Sequence, residues 1–263
     1  MAPRGIVAAA VASVFAMRLE EVGHPDATAL LPITFLTIIA TVAIYGLTSP
    51  FVARKLGVAE SDPQGLLIIG ASLWARKLAT VLQREGFRLL LVDSNRRHTR
   101  NARMAGLPTY TGSVLAQQAL DRMDLGGLGK VIAATPNDWV NVLAAHRFER
   151  VFGRAACYQL PPSQSGKESD RHTHLHGRWL FSDQMTHDAI EIRLADGYVI
   201  KATHISEEFD YADFREQYGE TTTPLFVIDA RKRLAPVTAT TPCDAQPGDT
   251  IIALVKEPKV HPG

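Results

Sequence analysis

Two short stretches decide the fold: Leu66-Leu67-Ile68-Ile69-Gly70-Ala71-Ser72-Leu73-Trp74-Ala75, and Phe87-Arg88-Leu89-Leu90-Leu91-Val92-Asp93. Leu66 to Ile69 has no polar face. Such a run predicts a parallel strand covered on both sides rather than one half-exposed to water. Gly70 ends it. Ala75 to Glu85 repeats with a helical period and is closed by Gly86. A second apolar run, 87–92, then ends on Asp93. Strand, tight turn, helix, strand and terminal acid make one βαβ unit.

The turn is a variant of the dinucleotide pattern G-x-G-x-x-G/A. Gly70 makes the tight turn. Ser72 stands where a second glycine lets a pyrophosphate approach the backbone. Ala75 stands where a third small residue packs helix against strand. The helix N-terminus offers free N–H groups and positive dipole to phosphates. Asp93, roughly twenty residues on, is placed to accept hydrogen bonds from ribose hydroxyls, which favours an unphosphorylated ribose. Arg96 and Arg97 follow it and either meet a phosphate or face water.

Outward from this unit the alternation continues. A helix over 100–105 ends at Gly106. A strand over 108–111 leads to Gly112 and Ser113. A helix over 116–123 precedes a strand over 131–134, which ends at Thr135-Pro136-Asn137-Asp138. A helix over 141–152 and a strand over 155–160 complete the series. This is an open parallel sheet with helices on both faces, a Rossmann-like α/β domain over 64–160. Ligands bind such sheets at the strands' C-terminal ends, where Gly70, Asp93, Gly112 and Thr135 fall.

Residues 161–176 are polar and rich in Pro and Ser, which reads as a linker. Beyond it, 177–263 reads as a small α+β module with strands over 198–205, 224–229 and 249–255. His172, His174 and His176 alternate and would share one face of a strand. No carboxylate or cysteine completes a metal shell there, so they read as a solvated cluster and no metal is expected. Cys157 and Cys243 are the only cysteines. Their separation fits neither a disulfide framework nor zinc.

Towards the N-terminus the composition changes. The chain has a net charge of +1, which gives no nucleic-acid signal. Its apolar residues are concentrated in the first fifth. Residues 5–17 carry no charge, and neither do residues 28–53. At ~1.5 Å per residue the second run crosses a ~30 Å hydrocarbon layer, and the first does so if it extends from Met1 to about Leu19. Residues 1–55 are therefore expected to form two transmembrane helices. A secretory signal peptide is the rival reading of the first run. The connector Glu20-Glu21-Val22-Gly23-His24-Pro25-Asp26 is acidic and the second span exits into Arg54-Lys55, which puts the following domains in the cytoplasm. Arg4 is either an intramembrane charge with a functional partner or an interfacial arginine snorkelling at the helix start.

Pro3-Arg4-Gly5-Ile6-Val7-Ala8, with a second span ending near Tyr45-Gly46-Leu47, resembles the last membrane helices of NhaP-type monovalent cation:proton antiporters, of the sodium/proton exchanger-like first family. The Arg-Gly match carries that family's intramembrane arginine onto Arg4 as a transport-related residue. Residues 65 to about 160 are similar to the RCK domain, also called TrkA-N. The carrying residues are Gly70, Ser72, Ala75, Asp93 and the segment Thr135-Pro136-Asn137-Asp138-Trp139-Val140-Asn141. That resemblance implies binding of NAD(H) or an adenine nucleotide at Gly70, Ser72, Ala75, Asp93, Gly112, Ser113, Thr135 and Asn137. It departs at Ser72, which replaces a glycine, and at Ser113, where the family has aspartate. Pro247-Gly248-Asp249 is loosely similar to the RCK C-terminal subdomain.

The resemblance implies a regulatory part of a sodium or potassium ion/proton antiporter in the cell membrane, not an enzyme. Its implied partners are the rest of the membrane domain, a second copy in a homodimer, a monovalent cation and a proton. The antiporters' ion-coordinating acids lie in earlier helices and no Asp or Glu falls inside the two spans, so a C-terminal portion without transport of its own is expected. The alternative is a membrane-anchored NAD-dependent oxidoreductase, with Tyr110 or His98 handling a proton. A potassium channel subunit ranks below both, since no TVGYG-like filter occurs.

Overall fold

The structure is a computed structural model, and it describes residues 4–55, 63–163 and 178–256. The chain divides into two compact units, 1–61 and 62–263.

The first unit is a pair of helices, α1 (Arg4–Glu21) and α2 (Ala27–Lys55), that pack on each other. Among the described residues one helical segment, Ala27–Ser49, is long and apolar enough to cross a membrane. At ~1.5 Å per residue its 23 residues span about 34 Å. The sequence led us to expect two such segments. The described part of α1 does not reach that standard: its last turns carry Arg18, Glu20 and Glu21. On α2, Ile33, Leu36, Ile39, Val42 and Leu47 are all exposed within the unit. Its hydroxyls bond to its own backbone. The hydroxyls of Thr34, Thr37, Thr41 and Thr48 donate to the carbonyls of Leu30, Ile33, Thr37 and Ile44 at 2.6–2.8 Å. A helix without water around it must satisfy its hydroxyls in this way.

In the second unit, the apolar runs form a parallel sheet. Its strands are β1 (Gly65–Ile69), β2 (Leu89–Asp93), β3 (Thr109–Thr111), β4 (Leu128–Ala133), β5 (Cys157–Gln159) and β6 (Arg178–Trp179). Their order is β3-β2-β1-β4-β5-β6, and every pairing is parallel. This is the doubly wound Rossmann order, with the topological switch between β1 and β4. The connecting helices are α3 (Leu73–Arg84), α4 (Arg96–Met104), α5 (Ala119–Arg122) and α6 (Asp138–Phe152). The helix expected over 116–123 is a single turn, 119–122. The edge strand β6 was not expected at all.

The unbroken apolarity of β1 has a direct structural cause. Leu66 and Ile68 face α3, whose Trp74, Ala75, Leu78, Ala79 and Leu82 are fully buried. Leu67 and Ile69 face α6, packing with Ala144 and Phe148. Cys157 lies in that second layer, where burial pushes its thiol up to about 12, so it is not a thiolate at neutral pH.

After β6 the chain builds a second, antiparallel sheet. Its strands are β7 (Tyr198–His204), β8 (Thr223–Ile228), β9 (Leu234–Pro236) and β10 (Thr250–Lys256), in the order β7-β10-β8-β9. Two helices accompany it, α7 (His187–Ala195) and α8 (Tyr211–Tyr218). One face of β10, Ile252 and Leu254, joins the same core as Trp74 and Leu78. The other face, Ile251, Ala253 and Val255, packs on Phe214 and Tyr218 of α8. The two sheets thus share one layer of side chains. At its centre Phe181 stacks edge-on against Trp74 (6.5 Å between ring centroids) and Phe226 (6.1 Å).

Candidate functional site

The turn after β1 is set by backbone chemistry. Gly70 has φ +108°, a conformation open to glycine. Its N–H donates to Val92 O (2.7 Å), and Ala134 N–H donates to Ile69 O (2.8 Å), so the turn is held between the tips of β2 and β4. A Cβ on Gly70 would lie 2.9 Å from Ala134 O. Ala75, fully buried, seats α3 close against the sheet.

Ser72 is the N-cap of α3. A capping serine ordinarily accepts a hydrogen bond from the second or third helical N–H. Here the side chain makes no capping bond. Its residue is 9% exposed, and its Oγ is buried without a hydrogen-bond partner. A buried hydroxyl left unsatisfied is costly and needs an explanation. Arg76, one turn along, donates from Nη1 to Ala71 O (2.6 Å), which brings a guanidinium to the mouth of the turn.

Asp93, the last residue of β2, ties this turn to the next. Its Oδ2 accepts from Ala71 N–H (2.8 Å) and pairs with His98 Nδ1 (2.9 Å). Its Oδ1 accepts from Asn95 N–H (2.8 Å), which leaves one lone-pair direction for a ligand. Its carbonyl accepts from Gly112 N–H (3.0 Å), so the tip of β3 joins the group. Gly112 lies against the Tyr110 ring, where a Cβ would approach Cε1 to 2.8 Å. Ser113 is exposed and its Oγ accepts from Leu115 N–H at 3.3 Å.

At the tip of β4, Thr135 and Asn141 bind each other. Asn141 Oδ1 accepts from Thr135 N–H (2.9 Å) and from its hydroxyl (2.7 Å), and Asn141 Nδ2 donates to Thr135 O (2.9 Å). Asn137 caps α6 by accepting from Val140 N–H. The tips of β1, β2, β3 and β4 therefore carry Gly70, Ser72, Asp93, Gly112, Ser113, Thr135 and Asn137 at one end of the sheet. Arg96 and Arg97 are exposed. Arg4 begins α1, and its side chain lies outside the described residues, as do His172, His174 and His176.

Sequence reasoning missed three contributors. Asn141 is 1% exposed and fixes Thr135, a role its residue type alone does not announce. His98 was weighed for proton handling, whereas here it holds Asp93. Glu191, on α7, accepts at Oε1 from Trp74 N–H in the first turn of α3, a long contact of 3.4 Å. No local pattern announces a partner so distant along the chain.

Residues 66–158 match the TrkA-N domain model. The chain carries a TrkA-N domain. No curated protein matches the chain. Among solved structures, the chain is similar to the NAD(P)-binding domain of an exopolyphosphatase-related protein from Archaeoglobus fulgidus (16% identity, 51% of this chain and 96% of that one, TM-score 0.38). It is also similar to the GsuK RCK domain (13%, 79% and 47%, TM-score 0.37) and to the GsuK channel bound to NAD (14%, 93% and 50%, TM-score 0.37). The chain spans about half the length of the two GsuK chains. Scores of this size add nothing to the TrkA-N assignment, which rests on the strand order and the family match. The antiparallel sheet beyond residue 198 lies outside the matched stretch.

The TrkA-N site fits a dinucleotide or adenine nucleotide at most points. Gly70 leaves room at the turn, Ser72 Oγ lacks a partner at the α3 N-terminus, and Asp93 retains an acceptor direction. It fits less well at Trp74, where Glu191 already sits on a first-turn N–H.

Proposed function

We propose that this chain is the nucleotide-sensing regulatory portion of a membrane cation transporter, a sodium or potassium ion/proton antiporter. The observation that carries the nucleotide reading is the partnerless, buried Ser72 Oγ at the α3 N-terminus, beside a glycine turn that Asp93 holds in place. A bound NAD(H) or adenine nucleotide supplies phosphate oxygens to Ser72 and the first turn of α3, and ribose hydroxyls to Asp93. The chain acts by binding, not by catalysis. Occupancy biases the transporter in proportion to its different affinity for the ligand in the transporter's two states.

In this reading α2 crosses the cell membrane, with Arg4 of α1 serving the transport domain and the TrkA-N domain in the cytoplasm. The working assembly is a homodimer joined to the remaining membrane helices, moving a monovalent cation against a proton. The exposed apolar face of α2 and its threonine hydroxyls, bonded to the helix's own carbonyls, support the membrane placement. Full-length chain is therefore expected to sediment with membranes or aggregate without detergent, while a shortened chain beginning at Asp62 stays in solution. A full-length chain that remains monomeric in plain buffer would sink this placement.

Asp93 gives the test of the ligand site. A charge-assisted hydrogen bond is worth roughly 1.5–3 kcal/mol, and about 1.4 kcal/mol is tenfold in affinity. Asp93→Ala in the full chain, titrated calorimetrically in detergent with NAD, NADH, ATP and ADP, is expected to bind about ten to a hundred times more weakly. Wild type that binds measurably and Asp93→Ala that binds equally well would remove the ribose from this position.

A further inference from the structure

The first turn of α3 is where a Rossmann-type domain receives the phosphates of its ligand, because its N–H groups are free and its dipole is positive. In this chain a carboxylate is already there. Glu191 reaches from α7 and accepts from Trp74 N–H. Two independent features show that the spot is otherwise equipped for an anion. Ser72, the N-cap, presents a hydroxyl that is buried and unpartnered. Arg76 holds a guanidinium at the same turn through Ala71 O.

α7 is anchored where it is. Ile190 and Leu194 are buried in the core that contains Trp74, with Thr186 capping the helix by accepting from Ala189 N–H. Glu191 itself is only part-buried, on the turn between those anchors. Its side chain can swing away from Trp74 N–H through rotation about its own bonds while the helix stays docked. A ligand phosphate and the Glu191 carboxylate cannot share the position, since both are anions and both accept from the same donor.

We propose that Glu191 is a tethered competitor for the phosphate position of the TrkA-N site. It lowers affinity for phosphate-bearing ligands, leaves the nucleoside part unaffected, and makes the position of the Glu191 side chain on a docked α7 depend on occupancy. The inference rests on the nucleotide reading given above. It adds that the second sheet's helix senses the ligand directly, through one side chain.

Glu191→Gln keeps the size of the side chain and removes its charge; Glu191→Ala removes the acceptor as well. In the full chain in detergent, both variants are expected to bind NAD or ADP about tenfold more tightly than wild type or better, with the affinity for adenosine unchanged. Equal NAD and ADP affinities in wild type and both variants would overturn the inference and leave the nucleotide reading standing. Inorganic pyrophosphate supplies an arm that needs no nucleotide. Followed by the Trp74 amide resonance, it should act at lower concentration in both variants than in wild type. If neither nucleotide binds any form of the chain, the nucleotide reading fails, and the pyrophosphate arm alone decides Glu191. A Trp74 resonance that responds identically in all three forms, or in none, counts against the competitor.

Discussion

Gly70→Val is expected to abolish nucleotide binding and to cost the folded second unit about 2–6 kcal/mol. Two effects add. A branched residue at φ +108° is strained by about 1–3 kcal/mol. Its Cβ would also lie 2.9 Å from Ala134 O and 3.1 Å from Ala134 C, which are backbone atoms of the β4 tip and cannot rotate away. Crowding of that kind typically costs 1–3 kcal/mol more. Moving β4 aside would sacrifice the Ala134 N–H to Ile69 O bond and displace Thr135 with it. Gly86 supplies the comparison, for its φ is +91° but no atom lies within 4 Å of a Cβ there. Gly86→Val therefore bears the conformational strain alone. Urea denaturation should rank Gly70→Val well below Gly86→Val, and equal stabilities would show that the turn has more room than these distances allow.

Trp74→Ala is expected to destabilise the same unit by about 3–5 kcal/mol, the usual cost of emptying a large buried aromatic site. Trp74 is fully buried at the point where Phe181 and Phe226 interlock. Phe181 is itself held at φ +67°, a conformation unfavourable for a non-glycine residue, so its placement depends on the packing around it. The loss should reach both sheets together. Amide exchange in β1 and β10 should accelerate in parallel, since Leu66, Ile68, Ile252 and Leu254 belong to one core. Continued protection of β10 alongside rapid exchange in β1 would show that the two sheets open independently.

The parallel sheet was legible in the sequence where burial leaves an unambiguous mark. β1 is apolar at every position because Leu66 and Ile68 face one layer and Leu67 and Ile69 another. β6 left no such mark. It is two residues long, and Arg178 is exposed. β9 is short and ends on a proline at the sheet edge, where a missing N–H is tolerated. α7 misleads outright. Ile190, Ile192 and Leu194 alternate as a strand would, yet Ile192 is 61% exposed while Ile190 and Leu194 share a buried helical face.

The site was legible as a set of backbone positions at strand tips, and much less so as chemistry. Asp93 could be read as the acid at the end of β2, but its three internal donors could not. Ser72 reads from sequence as the replacement of a motif glycine, and only the three-dimensional arrangement shows that it sits at the α3 N-cap without making a capping bond. Glu191 depends on the packing of α7 against α3, a contact without local periodicity.

The edge strand β6 sets where this molecule can be cut. A fragment ending at residue 160 would still contain the whole stretch that matches the TrkA-N model, yet it would strip β5 of its neighbour and bare a row of backbone donors and acceptors. It would also uncover the outer side of α3, including Trp74, which the second sheet covers. Such a fragment would be prone to join edge to edge with its own copies, and a failure to bind nucleotide would then reflect its aggregation. The smallest piece suited to a soluble assay runs from Asp62 through β10.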